Sequence, residues 1–288
     1  MGLSVEVRIT LLVLAAAFLH ACWNALVKSG RDPLLTIVTV SAVASLISAS
    51  LIPFVQAPAR AAWPYLALGV LTHNGFKIFL ILAYRAGDFS RVYPLARGSA
   101  PLVVAAFSGL VAGETVSGAE LAGVALISAG LASLALEPGR GGTDRRTDGI
   151  AVGCALLTGV FIGAYTLIDG MGVRVGGSHL GYSAWLFFLD GMPMVTLGLV
   201  LRGRQVAGFL RRGALPAIVA GSLSLLAYFV VIWALQAGTM APIAALRETG
   251  VIFAAIIGRV VLKEHFGGRR MAAAALVTLG VAALHWGG

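Results

Sequence analysis

The stretch Gly113-Glu-Thr-Val-Ser-Gly-Ala-Glu120 is acidic, and the stretch that aligns with it later in the chain, Lys263-Glu-His-Phe-Gly-Gly-Arg269-Arg270, is basic. Each follows one long apolar run and opens another. The likeness extends outward on both sides. Ala86-Gly87-Asp88 lies over Ala237-Gly238-Thr239, Leu95-Ala96-Arg97 over Leu246-Arg247-Glu248, and Gly130 over Gly280. A fainter match joins Phe18 to Asn24 with Val160 to Thr166. The chain therefore reads as a duplication: a first half over 1–136, a polar linker over 137–148 and a second half over 149–288. Opposite charge on equivalent loops places those loops on opposite sides of whatever the helices cross.

Composition says what that is. Of 288 residues 59% are hydrophobic and 11% charged, and the mean hydropathy is +0.93. A soluble domain carries about a quarter charged residues, so this chain belongs in a bilayer. Runs long enough to cross a hydrocarbon core as helices recur at about 9–28, 34–55, 63–85, 89–112, 117–136, 149–170, 179–201, 213–237, 240–262 and 268–286. The expected fold is all-α: a polytopic membrane protein with ten transmembrane helices in two five-helix repeats. Five crossings per repeat insert the second repeat the other way up, an inverted topology.

Lys and Arg fix the orientation. The loops after odd-numbered spans hold Arg31, Arg85, Arg91, Arg140, Arg145, Arg146, Arg202, Arg204, Arg211, Arg212, Lys263, Arg269 and Arg270, whereas the other side holds Arg8, Arg60 and Arg174. By the positive-inside rule the odd loops are cytoplasmic and both termini face outward, in a multi-pass protein of the plasma (inner) membrane. The first run follows Glu6, is as long as a full span and lacks an evident small-residue cleavage site, so it reads as a helix rather than a signal peptide. The net charge of +9 arises in the loops and gives no reason to expect nucleic acid. Cys22 and Cys154 both fall inside spans, which supports neither a disulfide framework nor a metal cluster.

The ten spans, the duplication, the Gly113-Glu114 and Lys263-Glu264 turns and the run Tyr93-Pro-Leu-Ala-Arg97 together resemble an EamA-type member of the drug/metabolite transporter superfamily. The stretch Leu19-His-Ala-Cys-Trp23-Asn24-Ala-Leu-Val-Lys28 is similar to the opening of one branch of such proteins. The resemblance implies a basket of ten helices around a central cavity, worked by alternating access and often exporting amino acids or related metabolites.

Depth picks out the residues for such a cavity. At about 1.5 Å per residue, Arg97 lies roughly 12 Å into the fourth span, Arg247 roughly 10 Å into the ninth, Lys77 roughly 20 Å into the third and Asp190 roughly 16 Å into the seventh. Glu248 is next to Arg247. A charge at a helix centre costs about 2.5–3.5 kcal/mol on insertion scales, so these side chains must face a cavity, each other or a ligand. Three cations against two carboxylates leave one positive charge over, which an anionic substrate group would match. Pro101 clashes with the Arg97 carbonyl four residues earlier, which predicts a kink and a released carbonyl in the fourth span; its repeat mate is Ile252.

The substrate-binding candidates are thus Arg97, Arg247 and Lys77, with Asn24, Trp23, Tyr93 and Tyr228 adding hydrogen bonds or lining and Tyr165 and Trp185 as further lining. His20, Trp23 and Asn24 share a face of the first span, as do His73, Lys77 and Tyr84 in the third. Glu248, Asp190, His20 and His73 are candidates to carry a coupling proton, because buried carboxylates and histidines can be tuned toward neutrality. A purely structural reading stands beside these, in which the charges form salt bridges that fix helix packing.

No phosphate loop, metal-ligand pair or Ser/His/Asp constellation is evident, so the chain does not read as an enzyme and implies no metal and no cofactor. The expected function is a secondary transporter, working as an exporter, for a small polar metabolite with an anionic group: an amino acid, an organic acid or a phosphorylated compound. The alternatives are a lipid-linked sugar flippase and a non-transporting membrane interaction protein. Its partners would be the small-molecule substrate and the lipid bilayer, with the chain a monomer or homodimer.

Overall fold

Helices in the computed structural model follow the apolar runs. The structure describes residues 4–28, 32–87, 89–135, 145–203, 205, 206, 208, 209, 214–253, 256 and 268–286. Among them the chain is 92% helical with no strand, which establishes the all-α class. The helices are α1 (Val5–Lys28), α2 (Pro33–Leu51), α3 (Trp63–Ala86), α4 (Phe89–Ala112), α5 (Gly118–Ala135), α6 (Arg145–Gly176), α7 (His179–Arg202), α8 (Ala214–Ala237), α9 (Met240–Glu248) and α10 (Gly268–Trp286). Seven segments are long and apolar enough to cross a membrane, while Gly118–Leu134 and Met271–Leu284 are shorter apolar helices. The Lys263-Glu264 turn and residues 137–144 of the linker lie outside the described residues.

Side-chain caps set several starts. Asp32 Oδ1 accepts from the backbone N–H groups of Leu34 and Leu35, and Pro33 opens α2 at a position where its missing N–H leaves no bond unmade. At α5 the Ser117 hydroxyl accepts from the Glu120 N–H, and the Glu120 carboxylate accepts from the Ser117 N–H at 2.7 Å, a reciprocal capping box. Gly113 closes α4 with φ +67°, a left-handed turn that glycine enters without steric cost.

Two helices depart from the expected spans. α6 runs on to Gly176 instead of ending near residue 170, so Asp169 falls inside the helix. α9 ends at Glu248, where a one-residue turn at Thr249 interrupts the expected 240–262 span before helix resumes over 250–253: the Thr249 N–H and hydroxyl both bond the Leu246 carbonyl, and the Ile252 N–H bonds the Thr249 carbonyl at 2.9 Å; residues 257–262 lie outside the described residues. A hydroxyl bonding back onto its own helix competes with the regular ladder. α4, in contrast, passes unbroken through Pro94 and Pro101. The interruption therefore comes beside Arg247 and Glu248, in the half that lacks a matching proline.

The chain forms two compact units, each drawing on both sequence halves. Unit 1 comprises Met1–Asn74 and Ile168–Ala237, with α1 packed on α8 and α2 on α7 and α8. Unit 2 comprises Gly75–Leu167 and Gly238–Gly288, with α5 packed on α4 and α10, and α9 on α4 and α5. Small residues bring helices together in both, the expected packing where lipid and side chains are equally apolar. In unit 2 a Cβ at Gly123 would stand 2.8 Å from the Gly280 carbonyl oxygen, and one at Gly130 3.0 Å from that of Ala273. In unit 1 a Cβ at Gly198 would press on Val38 at 2.6 Å. Gly118 meets nothing within 4 Å and simply starts α5.

Candidate functional site

Unit 2 buries a cluster of permanent charges. Arg97 on α4 and Arg247 and Glu248 on α9 are 6%, 3% and 1% exposed, so their charges are compensated by one another rather than by water. Arg97 Nη1 donates to Glu248 Oε2 at 3.0 Å and Oε1 at 3.2 Å. Arg247 Nε donates to Oε1 at 3.0 Å, and its Nη2 lies 3.0 Å from the same oxygen. One carboxylate thus serves two guanidiniums. Each guanidinium also lies over a tyrosine: Arg97 is 5.3 Å from the Tyr93 ring centroid and Arg247 5.5 Å from that of Tyr165, within reach of a cation–π attraction. The edge of Phe76 supports the Tyr165 ring.

The Glu114 turn reaches the same element. Glu114 Oε2 accepts from the Met240 N–H at 2.9 Å, capping the first turn of α9, whose last turn carries Arg247 and Glu248. Lys77, the third expected cation, lies half-buried on the unit 2 part of α3.

Unit 1 buries a different cluster, and its centre was not among the expected residues. Asp169 on α6 is fully buried; its Oδ2 takes the His73 Nε2 at 2.8 Å and accepts from the Tyr228 hydroxyl at 2.7 Å, while Oδ1 accepts from the Tyr182 hydroxyl at 3.2 Å. Beside it, Asn74 Nδ2 donates to the Asp190 carboxylate at 3.0 Å and to the Val70 carbonyl at 2.9 Å. His73 and Tyr228, expected in separate roles, are thus brought onto one acid. Trp23 and His20 on α1 pair with each other, Trp23 Nε1 donating to His20 Nδ1 at 3.0 Å. The side chain of Asn24 lies outside the described residues.

Asp169 corrects the charge count. Among the described residues Asp169 joins Asp190 and Glu248 as a third buried carboxylate against Lys77, Arg97 and Arg247, and the expected surplus of one cation disappears. What remains is local: Arg97, Arg247 and Glu248 sum to a formal +1 within unit 2, whereas Asp169 with a neutral His73 sums to −1 within unit 1. Among the described residues no group of His, Cys, Asp and Glu is arranged to hold a metal ion.

Residues 149–286 match the model of the EamA-like transporter family. No match to a curated protein was found. A solved crystal structure of a protein aligns over 96% of this chain and 94% of its own with a TM-score of 0.73 at 17% sequence identity, a likeness that shows the fold alone. Taken with the apolar helices, the family match over residues 149–286 supports an EamA-type transporter of the drug/metabolite transporter superfamily and a multi-pass membrane protein.

Proposed function

We propose that this protein is a secondary transporter that exports a small polar metabolite bearing a carboxylate or phosphate across the plasma membrane by alternating access. The observation that carries the reading is the sharing of Glu248 by Arg97 and Arg247. Guanidiniums stay charged throughout the physiological range and match planar or tetrahedral oxyanions with paired N–H donors. Glu248 holds two of them in place yet leaves their sum positive, so an entering oxyanion brings the group to neutrality. Lys77 adds a cation in the same unit, and Tyr93 and Tyr165 offer aromatic faces.

The two halves are proposed to be inverted repeats. Support comes from the alignment itself, in which Arg97 and Glu248 occupy equivalent positions. Equivalent residues of two halves related by a two-fold axis meet only beside that axis, and these two form an ion pair at 3.0 Å. Substrate sites of inverted-repeat transporters lie at such axes, near the bilayer midplane.

Transport in proteoliposomes tests the reading, with radiolabelled amino acids, dicarboxylates and sugar phosphates as probes. An anionic compound should be carried by the parent protein. Arg97→Lys should slow it at least about tenfold, in line with the ~1.5–3 kcal/mol of a charge-assisted hydrogen bond. Arg97→Lys and Arg97→Ala proteins that fold normally and transport at the parental rate would remove Arg97 from the site.

A further inference from the structure

The cluster around Asp169 is built for something the anion site does not use. Its acid is fully buried, and the His73 side chain beside it is 7% exposed. Two glycines make room for it. A Cβ at Gly69 would stand 2.8 Å from Asp169 Oδ1, and one at Gly172 would collide with the Tyr182 hydroxyl. The rings are fixed edge-to-face, His73 on Tyr228 at 5.4 Å and Tyr228 on Phe187 at 5.4 Å. Around His73 in unit 1, α6 contributes Asp169, α7 contributes Tyr182 and the Asn74-bound Asp190, and α8 contributes Tyr228. Arg174, farther along α6, spends its Nε on the Leu235 carbonyl, and His20 on α1 is bonded to Trp23.

An ionised carboxylate only accepts hydrogen bonds, so an Asp169 that takes three of them presents its negative charge to His73 Nε2–H and the two phenol hydroxyls. With Nε2–H directed at the acid, a second proton enters the imidazole at Nδ1. The pair then changes from −1 to zero. In an apolar interior an unbalanced charge is the expensive state, and taking up H+ removes it without moving any side chain. We propose that His73 and Asp169, with the hydroxyls of Tyr228 and Tyr182, form the proton-binding site of unit 1, which loads one H+ on the His73 imidazole and releases it again, so that transport runs by exchange with protons. This rests on the transporter reading above. One N–H bond forms on loading and the same bond breaks on release; nothing else is made or broken.

The test is a proton count on the purified full-length protein in detergent, brought from about pH 8 to about pH 5, the interval in which an imidazole changes charge. His73→Gln should take up one proton fewer per chain than the parent. Asp169→Asn should also take up one fewer, although it keeps the imidazole, because protonation would then create a buried charge instead of cancelling one. Equal uptake by parent and His73→Gln would overturn the proposal, as would parental uptake by Asp169→Asn. Should either variant fail to fold, infrared difference spectra between the two pH values, on protein labelled with ring-¹⁵N histidine, decide the matter. A histidine band should change with pH and be displaced in Tyr228→Phe; no Tyr228-sensitive histidine band among the five histidines would overturn it. Neither measurement needs a metabolite, so a failed proton count leaves the anion reading standing, and a failure to carry any anion leaves the count standing.

Discussion

In unit 2 a buried carboxylate, Glu248, is held by two guanidiniums; in unit 1 a buried carboxylate, Asp169, is held by an imidazole and two phenol hydroxyls. Both acids accept several short hydrogen bonds on helices of similar apolar composition. The difference lies in whether the donors can change charge. Arginine keeps its proton under all physiological conditions, so the donors around Glu248 are permanent cations. The Asp169 cluster instead holds a histidine, the side chain we propose to load H+. The same burial therefore surrounds a carboxylate with permanent cations in one unit and with an imidazole and two phenols in the other.

Substitutions that exchange a carboxylate or a hydroxyl for its neutral or apolar counterpart should separate these behaviours. The largest effect is expected for Glu248→Gln, which takes from two buried guanidiniums the acid they share. Breaking a buried pair in this way costs about 3–5 kcal/mol, and the thermal unfolding midpoint should fall accordingly. A loss within error of zero would mean that water or other groups, and not Glu248, balance the arginines. Tyr228→Phe should have a smaller cost. It removes a 2.7 Å bond to Asp169 while His73 and Tyr182 remain, which predicts a loss of ~1.5–3 kcal/mol by the same measurement. If it destabilised the protein as much as Glu248→Gln, the two clusters would be equally rigid and the contrast would not hold. Glu114→Gln should be the mildest, weakening only the charge at the start of α9, with a loss of ~0.3–1 kcal/mol. Its more informative readout is transport, since it leaves Arg97, Arg247 and Glu248 chemically intact and changes only how α9 is anchored.

How far the residues could be read in advance depended on the range of the interactions that place them. Arg97, Arg247 and Glu248 stood out because each interrupts a long apolar run, and insertion cost alone requires partners for them; that they partner one another is a tertiary fact. The EamA likeness was equally legible, carried by local turns and repeated spacing. Asp169 was overlooked for a local reason. The sixth span was ended near residue 170, which put the aspartate at a helix terminus beside water, but Gly170-Met-Gly-Val173 is apolar, and α6 continues two turns farther. Carrying the span past that run would have exposed the acid as buried. The break at Thr249 had only a weak signal in the Gly250 that follows it, because a hydroxyl bonded to its own helix looks in sequence like any threonine. Pro101 lies within a helix that stays continuous and packs on α5. The cap that Glu114 places on Met240 joins distant parts of the chain, beyond what any local pattern encodes.

The account turns on the guanidinium pair meeting an oxyanion, and ligand-induced stabilisation reads that directly, because a ligand that prefers the folded state raises the unfolding midpoint. The purified protein would be melted with amino acids, dicarboxylates and sugar phosphates, each beside its amide or dephosphorylated analogue. The prediction is that one charged compound raises the midpoint of the parent, that its uncharged analogue does not, and that Arg97→Lys abolishes the shift. Equal stabilisation by charged compound and analogue, or a shift that survives in both Arg97→Lys and Arg247→Lys, would contradict it.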